Sequence, residues 1–348
     1  MTSKADMDWA RAVKIIDSAA DVWLACHIRP DVDALGSMLA VAQALHARGD
    51  CRVVASFGEE PFDVPAILRF LPGLDLLAEP SAVPAQPAVM VSFDASSIDR
   101  LGILAGPAAA ASELIVLDHH ASNTGFGTVN LVDPAVAATA VLSCELIDRL
   151  GIPLNAAIAT DLYAGLATDT GSFKFSSTTP QVHELAARLL RTGIDPGGIS
   201  RNLYDRAPFS YMGLLAAALE RAKLEPSAAR GLGLVWTTIT KADRERAGLP
   251  LDAIDSVIDE LRRTDEAEVA AVLKEDDEGT WQVSVRSKEI IDVGAASTAL
   301  GGGGHARAAG FSAPGGAGGV TADQESGSDG SDTASGVIRA LKRLLDTS

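Results

Sequence analysis

Short apolar runs alternate with helix-like stretches through the first half of the sequence, and this alternation constrains the fold more than any other feature. The apolar runs have the length of buried strands, and the stretches between or after them repeat their apolar residues at helical spacing. The strand candidates are Val22–His27, Arg52–Ser56, Ala88–Phe93 and Leu114–Asp118, and the helix candidates are Ala34–Arg48, Ala137–Leu150, Asn155–Ala167 and Val182–Arg191. Such alternation predicts an α/β fold with a parallel sheet and helices on both of its faces.

The length of 348 residues predicts two domains. A helix stop and a run of Pro and Gly at 192–198 mark the boundary. We expect a first domain over residues 1–196, a linker over 197–211 and a smaller α/β domain over 212–348. In the second domain the strand candidates are Leu232–Ile239, Ala267–Lys274 and Trp281–Arg286, with a helix over Ile254–Arg263.

A low-complexity tract rich in Gly, Ser, Asp and Ala occupies Pro314–Gly336. It has too few apolar residues to offset the entropy of ordering, so we predict a disordered insertion over 313–336. Apolar residues at helical spacing return in 337–344 and predict a docked final helix.

The composition restricts the partners that the chain can bind. It carries 29 Lys and Arg against 46 Asp and Glu, a formal charge of −17. A protein that follows long nucleic acid needs a basic surface, so we exclude long nucleic acid and expect short substrates held at one or two phosphates. The start of the chain lacks the apolar run of a signal peptide, and no stretch approaches the ~20 apolar residues of a membrane helix. With three scattered cysteines, which suit a reducing compartment, we expect a cytoplasmic protein without membrane association.

The strongest local motif follows the first strand candidate. His27 ends the strand, and a turn containing Pro then presents Asp31 and Asp33. Imidazole nitrogen and carboxylate oxygen at this close spacing are typical ligands of a divalent cation. A solvated loop in which an aspartate caps the following helix is the alternative.

Further acidic residues follow other elements. Asp94 follows a strand candidate and Asp169 lies beside a tight turn, while Asp118 ends a strand candidate just before His119 and His120. Each residue has a structural alternative, because aspartates cap helices and form turns, and a histidine can belong to the core. However, three of the six histidines in the chain lie in these motifs. Because ligands collect at the carboxyl ends of parallel strands, the joint pattern predicts a metal site.

The order of these motifs resembles that of the DHH phosphoesterase superfamily, whose signature triplet corresponds to Asp118-His119-His120. The later segment Gly301–Gly310 resembles the glycine-rich signature of the DHHA1 substrate domain. Length and arrangement are most similar to the NrnA type, nano-RNases that also dephosphorylate 3′-phosphoadenosine 5′-phosphate, and to actinobacterial relatives that hydrolyse cyclic di-AMP. The resemblance covers nearly the whole chain apart from Pro314–Gly336, and it implies a DHH catalytic domain joined to a DHHA1 domain.

This resemblance implies an enzyme that binds two Mn²⁺ ions, with Mg²⁺ or Co²⁺ as substitutes. The ligands that it implies are His27, Asp31 and Asp94 for one ion, and Asp33, Asp94, His119 and Asp169 for the other, with Asp94 bridging. Two ions of this kind share a nucleophile and neutralise charge on the phosphoryl oxygens. Asp118 would orient a histidine by hydrogen bonding, and His120 would face the scissile phosphate or the leaving oxygen.

Substrate recognition is expected mainly from the second domain. Backbone amides in a glycine run can approach a phosphate closely, and an arginine at a strand end can make a bidentate phosphate contact. The predicted substrate contacts are Arg286, Ser287, Gly303, Gly304, His305 and, from the first domain, Asn123. The alternatives are a flexible loop for the glycines and an Asx turn for Asn123.

The function expected on this basis is hydrolysis of short oligoribonucleotides to nucleoside 5′-monophosphates and of 3′-phosphoadenosine 5′-phosphate to AMP, with cyclic di-AMP as a third candidate substrate. A RecJ-type exonuclease is a weaker alternative, because such chains are typically longer and more basic. A family II inorganic pyrophosphatase would lack the glycine-rich segment. A non-catalytic nucleotide sensor is the alternative outside enzymes, and a homodimer is expected from the family resemblance.

Overall fold

The computed structural model describes residues 8–314 and 330–347. The chain divides into two compact units, Met1–Arg206 and Ala207–Ser348, and each is built on its own sheet. Among the helices within the described ranges, none is both long and apolar enough to cross a membrane.

The first unit is built on a sheet of five strands. In chain order the strands are β1 (Asp21–Cys26), β2 (Arg52–Phe57), β3 (Val89–Phe93), β4 (Glu113–Asp118) and β5 (Val129–Val132). Across the sheet they lie in the order β2-β1-β3-β4-β5, and every neighbouring pair is parallel. The prediction of an α/β fold with a parallel sheet is therefore confirmed, and β5 is a strand that the sequence analysis missed.

Helices cover both faces of this sheet, because alternate strand residues point in opposite directions and both sets are apolar. The helices are α1 (Trp9–Asp17), α2 (Val32–Arg48), α3 (Ala105–Ala110), α4 (Thr139–Arg149), α5 (Ala156–Asp169), α6 (Pro180–Leu190) and α7 (Pro196–Tyr204). Leu24 and Val91 lie in the larger core, which contains α2 and α4. Trp23 and Met90 lie in a smaller core on the opposite face, together with α3 and the 3₁₀ segment Ile98–Leu104.

Helix α5 packs closely against α2, and two glycines permit this approach. A Cβ on Gly36 would lie 2.8 Å from the carbonyl oxygen of Asp161, and a Cβ on Gly165 would lie 2.6 Å from Oδ1 of Asp33. Both distances are shorter than the contacts that side chains tolerate, so each position requires glycine. This packing brings the end of α5, at Asp169, to the start of α2 beside the strand ends.

The second unit is built on a mixed sheet of six strands. These are β6 (Lys223–Glu225), β7 (Leu234–Ile239), β8 (Val269–Glu275), β9 (Trp281–Ser287), β10 (Gly303–His305) and β11 (Ala308–Ala313), in the spatial order β10-β11-β9-β8-β7-β6. Only the β7–β8 pair is parallel among the described strands of this sheet. The helices are α8 (Phe209–Glu220), α9 (Ala228–Gly231), α10 (Lys241–Ala247), α11 (Val257–Leu261), α12 (Val293–Ala299) and α13 (Gly330–Leu345). Helices α12 and α13 belong to the core of one face, and α8 and α11 to that of the other.

The segment 197–211, expected as a linker, is mostly helical. It contains most of α7 and the first turn of α8. Helix α7 forms because Pro196 suits its first position and because Ile199 and Leu203 bury apolar side chains in the larger core of the first unit. The Gly and Pro residues that suggested a linker are therefore the start of a helix.

The tract 313–336, predicted as a disordered insertion, has three parts. Ala313 ends β11, residues 315–329 lie outside the described residues, and α13 begins at Gly330. The expectation of disorder is wrong for 330–336, because Ala334 is buried in the core of the second unit and extends the apolar face of α13.

Candidate metal centre

Six side chains predicted as metal ligands lie together at the carboxyl edge of the parallel sheet. They are His27, Asp31, Asp33, Asp94, His119 and Asp169. Three of them directly follow β1, β3 and β4, and the others come from the start of α2 and the last residue of α5. The fold therefore places them where ligands gather in parallel sheets.

His27, Asp31 and Asp94 form the first group of candidate ligands. Nε2 of His27 lies 3.8 Å from Oδ2 of Asp31 and 3.7 Å from Oδ2 of Asp94. Nδ1 of His27 lies 2.8 Å from the carbonyl oxygen of Ile28, and because a carbonyl can only accept, Nδ1 carries a proton. Nε2 is then the nitrogen directed at the carboxylates, as in a metal ligand. Asp31 also caps α2, since its Oδ1 accepts from the N–H of Ala34, so capping and ligand geometry coexist.

His119 lies at the centre of the second group. Its Nε2 is 3.2 Å from Oδ2 of Asp169, 3.5 Å from Oδ1 of Asp94 and 4.0 Å from Oδ2 of Asp33. Its Nδ1 lies 3.4 Å from the carbonyl oxygen of Val136, which orients the ring in the same way as in the first group. Asp94 belongs to both groups, because one of its oxygens faces each histidine.

The carboxylate of Asp33 is completely buried and is held at the start of α4. It accepts hydrogen bonds from the backbone N–H of Thr139 at 2.6 Å and of Ala140 at 2.9 Å, and from the hydroxyl of Ser37 at 3.1 Å. The N–H groups at the start of a helix have no partner within the helix and favour an anion, so α4 fixes the position of Asp33.

Asp94 adopts a backbone conformation that is unusual for a residue with a side chain. Its φ is +56°, in the left-handed region, which costs about 1–3 kcal/mol outside glycine. The backbone N–H of Asp94 donates to the carbonyl of Leu117, and the hydroxyl of Thr139 donates to Oδ1 of Asp94 at 2.8 Å. These contacts hold the strained residue in place, which is typical of a functional site.

Charge interactions within the cluster shift several pKa values. Burial alone would lower the pKa of His27, but attraction to Asp31 and Asp94 outweighs it and raises the pKa to about 10. Burial raises the pKa of Asp169 to about 6, although His119 acts in the opposite direction. Burial also opposes ionisation of Asp94, yet the three nearby imidazoles hold its pKa well below the usual range. The imidazoles of the cluster thus favour the ionised form of Asp94, and the carboxylates favour the protonated form of His27.

This donor set fits divalent metal ions. Oxygen and imidazole nitrogen donors lie within 4.8 Å of one another in three sets that contain Asp94: with His27 and Asp31, with Asp33 and His119, and with Asp118 and His120. Both histidines present Nε2 to carboxylates while Nδ1 faces a backbone carbonyl, the arrangement by which proteins orient metal-bound imidazoles. Asp169 is also the last residue of α5, where the negative end of the helix dipole favours a cation.

Asp118 and His120 form a hydrogen-bonded pair beside Asp94, with Nδ1 of His120 at 3.7 Å from Oδ1 of Asp94. The completely buried Asp118 accepts from Nδ1 of His120 at 2.7 Å and from the amide of Asn123 at 2.6 Å. The Asn123 amide also donates to the carbonyl of Ala95, and its oxygen accepts from the N–H of Gly125. The side chain of Asn123 therefore stabilises its own loop by hydrogen bonds, which favours the Asx-turn alternative over substrate contact.

In the second unit, Arg286 and His305 share one face of the mixed sheet. Ala308 pairs directly with Arg286 on one side and with His305 on the other, so the three side chains form a row across neighbouring strands. Two strand spacings separate the ends of this row, or about 10 Å. The exposed Gly303 and Gly304 continue the same strand as His305. The structure thus brings these four predicted contacts into one region.

Ser287, also predicted as a substrate contact, occupies a different environment. Its side chain is completely buried, and its hydroxyl donates to the carbonyl of Ala306 at 3.3 Å. Successive strand residues point to opposite faces, so Ser287 lies on the face away from Arg286. Its role in the structure is to support the loop after His305, and this departs from the expectation.

The sequence analysis missed two residues that shape the centre, Thr139 and Gly165. Thr139 orients two candidate ligands, and Gly165 leaves room for Asp33. A glycine inside an otherwise helical pattern carries a recognisable signal, because it weakens the helix and usually has a packing reason. Thr139 carries no such signal, since its contacts depend on residues far away in the sequence.

Comparisons with known proteins agree with this arrangement. A family model for the DHH family, N-terminal domain, matches residues 21–166, and a model for the DHHA1 domain matches residues 237–325. A bifunctional oligoribonuclease and PAP phosphatase NrnA from Thermus thermophilus is 34% identical over 292 residues, 83% of each chain. A probable enzyme of the same name from Streptococcus mutans is 24% identical over 284 residues, 82% of this chain and 86% of its own.

A solved structure supports the fold. The exopolyphosphatase-related protein from Bacteroides fragilis superposes with a TM-score of 0.80 at 21% sequence identity, covering 97% of this chain and 96% of its own. At that identity the likeness concerns the fold alone.

Proposed function

This chain belongs to the DHH/DHHA1 phosphoesterase family, and we propose that it hydrolyses phosphate esters of very small nucleotides. The proposed substrates are short oligoribonucleotides, cut to nucleoside 5′-monophosphates, and 3′-phosphoadenosine 5′-phosphate, cut to AMP and phosphate. Two relatives carry both of these activities in their names, which supports the assignment. Cyclic di-AMP and its linear product pApA are further candidate substrates.

One observation carries the proposal: two groups of metal-ligand atoms meet at Asp94. The DHH family is metal-dependent, and we propose two Mn²⁺ ions, with which the mixed imidazole and carboxylate donors are compatible. One ion would be held by His27, Asp31 and Asp94, and the second by Asp33, Asp94, His119 and Asp169. Bound at these positions, the ions would supply Lewis-acid activation of the phosphoryl group and of the attacking water.

The chain's own residues would position and protonate the substrate. His120 presents Nε2 away from Asp118, because Nδ1 is engaged by that carboxylate. We assign His120 to proton donation at the leaving oxygen and Asp118 to orientation of its ring, as in other carboxylate–histidine pairs. Arg286, His305 and the amides of Gly303 and Gly304 would bind the non-scissile part of the substrate.

The electrostatic balance supports a short substrate. The formal charge of −17 repels long nucleic acid, whereas a substrate held at one or two phosphates needs only local positive groups. We also propose a cytoplasmic location, which the free thiols of Cys26, Cys51 and Cys144 support, and a homodimer, which light scattering can test.

A direct test compares initial rates on four substrates with protein stripped of metal and reloaded with Mn²⁺. The substrates are a ribodinucleotide, 3′-phosphoadenosine 5′-phosphate, cyclic di-AMP and a ~24-nucleotide RNA, and the shorter ones should react far faster, with a shallow salt dependence. The stripped protein is the control. Equal rates on the dinucleotide and the long RNA would favour a RecJ-type exonuclease, and no turnover with Mn²⁺ bound would favour a nucleotide sensor.

A further inference from the structure

Arg100 lies directly beside the proposed metal centre, although no motif in the sequence pointed to it. One of its terminal guanidinium nitrogens is 3.4 Å from Nδ1 of His27. The residue belongs to the 3₁₀ segment Ile98–Leu104, which follows β3 and Asp94. Arg100 is exposed to solvent as a whole residue, yet enough protein surrounds its guanidinium for burial to lower its pKa.

The backbone fixes the position of Arg100. The N–H of Ile28, next to His27, donates to the carbonyl of Arg100 at 2.9 Å. Gly102 has a φ of +58°, and a Cβ on it would lie 2.2 Å from the carbonyl oxygen of Gly58. This close approach locks the 3₁₀ segment onto the loop after β2. The guanidinium is therefore carried by a rigid support, as a preorganised binding group requires.

The contact with His27 does not use the hydrogen-bonding capacity of Arg100. Nδ1 of His27 already donates to the carbonyl of Ile28, so it cannot accept from the guanidinium. The nearby carboxylates of Asp31 and Asp94 face Nε2, on the other side of the ring. Within residues 8–314 and 330–347, Arg100 forms no ion pair within 4.0 Å. Its N–H groups are thus available to a ligand at the centre.

The charge balance of the centre indicates which ligand this is. The four carboxylates among the candidate ligands, on Asp31, Asp33, Asp94 and Asp169, carry four negative charges, and two divalent ions carry four positive ones. Their sum is zero, so a phosphodiester and an attacking hydroxide would add negative charge to a neutral site. A fixed cation beside the centre offsets this charge, and it does so most strongly as charge builds up on the phosphoryl oxygens.

We propose that Arg100 binds a non-bridging oxygen of the phosphoryl group under attack, on the His27 side of the centre. This role rests on the proposed phosphoesterase function and adds a substrate-contacting residue to it. It differs from the role assigned to Arg286, which contacts the non-scissile part of the substrate.

The experiment measures three quantities for Arg100→Ala and Arg100→Lys. These are kcat/KM on bis(p-nitrophenyl) phosphate, the Kd of Mn²⁺, and the Kd of inorganic phosphate for the Mn²⁺-loaded protein, the last two by calorimetry. We expect Arg100→Ala to lower kcat/KM about 100-fold, in the range for loss of one transition-state donor. Phosphate binding should weaken at least about tenfold, and Arg100→Lys should recover part of both losses because it keeps the charge but not the planar fork. Mn²⁺ affinity should stay within about threefold of wild type, because Arg100 is not a ligand.

Arg69→Ala is the matched control, since Arg69 is an exposed arginine of the same unit paired with Asp63 at 2.8 Å. It should leave all three quantities unchanged. Added guanidinium should partly restore Arg100→Ala, which a purely structural role would not allow.

Two results would overturn the assignment. Kinetics and phosphate affinity of Arg100→Ala within about threefold of wild type would show that no phosphoryl contact exists. A loss of Mn²⁺ affinity in both variants, with folding intact by circular dichroism, would instead make Arg100 a support for His27. If the wild type hydrolysed no phosphate ester, the proposed function would fail, and the phosphate affinities would still decide the role of Arg100.

Discussion

The backbone N–H of Thr139 donates a 2.6 Å hydrogen bond to the carboxylate of Asp33, 106 residues away in the sequence. The hydroxyl of the same threonine donates to Asp94 at 2.8 Å. One residue at the start of α4 thus orients a carboxylate from the start of α2 and another from the end of β3. This makes the N-terminus of α4 part of the proposed metal centre, although it supplies no ligand.

Thr139→Val should weaken Mn²⁺ binding and lower kcat/KM without abolishing either. Valine keeps the shape of threonine and the backbone hydrogen bond to Asp33, but it removes the hydroxyl that orients Asp94. We expect Mn²⁺ affinity and kcat/KM to fall about 10-fold to 100-fold, as for other residues that orient metal ligands. Thr160→Val is the control, because the hydroxyl of Thr160 donates only to the carbonyl of Ala156 on the exposed side of α5. Equal affinities in the two variants would argue against this role of Thr139.

Gly165→Ala should reduce Mn²⁺ binding only because the added methyl group clashes with Asp33. The added Cβ would lie 2.6 Å from Oδ1 of Asp33 and 3.0 Å from its Cα, so the carboxylate must move. We expect loss of Mn²⁺ affinity together with about 1–3 kcal/mol of destabilisation from overpacking.

Gly213→Ala provides the comparison, since Gly213 is also helical but has nothing within 4 Å of an added Cβ. That variant should gain about 0.5–1 kcal/mol from helix propensity and keep its activity. Thermal melts and Mn²⁺ titrations of both variants would check this. A Gly165→Ala protein that binds Mn²⁺ normally would contradict the packing argument.

The position of the metal centre could be predicted from the sequence because it depends on local patterns. His27, Asp94 and His119 each follow an apolar run, and parallel strands bring such ends to one edge. Asp31, Asp33 and Asp169 were identified from their places in or beside turns, and the family resemblance assigned the six candidate ligands to two ions. The parallel sheet and most of the helices of the first unit also follow from periodicity.

Contacts between distant segments could not be predicted in the same way. Thr139 and Arg100 approach the centre only through packing of whole elements, and no local pattern marks them. The burial of Ser287 depends on which face of β9 points toward the core. If a sequence prediction assigns that face wrongly, a buried strand residue is predicted to be exposed. Helix α7 was missed because Gly and Pro also occur at helix starts.

His120→Ala should affect substrates according to their leaving group. A ribose hydroxyl leaves poorly without a proton, whereas p-nitrophenolate leaves readily as an anion. We expect kcat on a ribodinucleotide to fall by about 10²–10³, in the range for general acid catalysis, and to fall far less on bis(p-nitrophenyl) phosphate. Asp118→Asn should show the same selectivity to a smaller degree, and Mn²⁺ content should not change. Equal losses on both substrates would remove His120 from proton donation.

Arg286→Ala and His305→Ala should impair substrate binding rather than metal binding. Both side chains lie on one row of the mixed sheet, whereas the six predicted ligands belong to the first unit. We expect KM to rise at least about tenfold, with the Mn²⁺ content of wild type, and Arg286→Lys should not restore it fully.

Ser287→Ala is the contrasting variant, because it removes a buried hydrogen bond from the opposite face. It should cost about 1 kcal/mol of stability and leave KM unchanged. Steady-state kinetics on a dinucleotide, beside metal analysis by mass spectrometry, would test all four variants. Unchanged KM in both alanine variants of the row would refute the recognition role.

Asp94→Ala tests the central claim most directly, because Asp94 alone belongs to both groups of candidate ligands among the described residues. The measurement is kcat/KM on a ribodinucleotide at saturating Mn²⁺, together with the number of ions bound per chain, with the exposed Asp63→Ala as control. We predict at least about a 100-fold loss of kcat/KM and fewer bound ions for Asp94→Ala, since both ions lose a ligand. Retention of more than about 10% of the wild-type activity would contradict the shared centre.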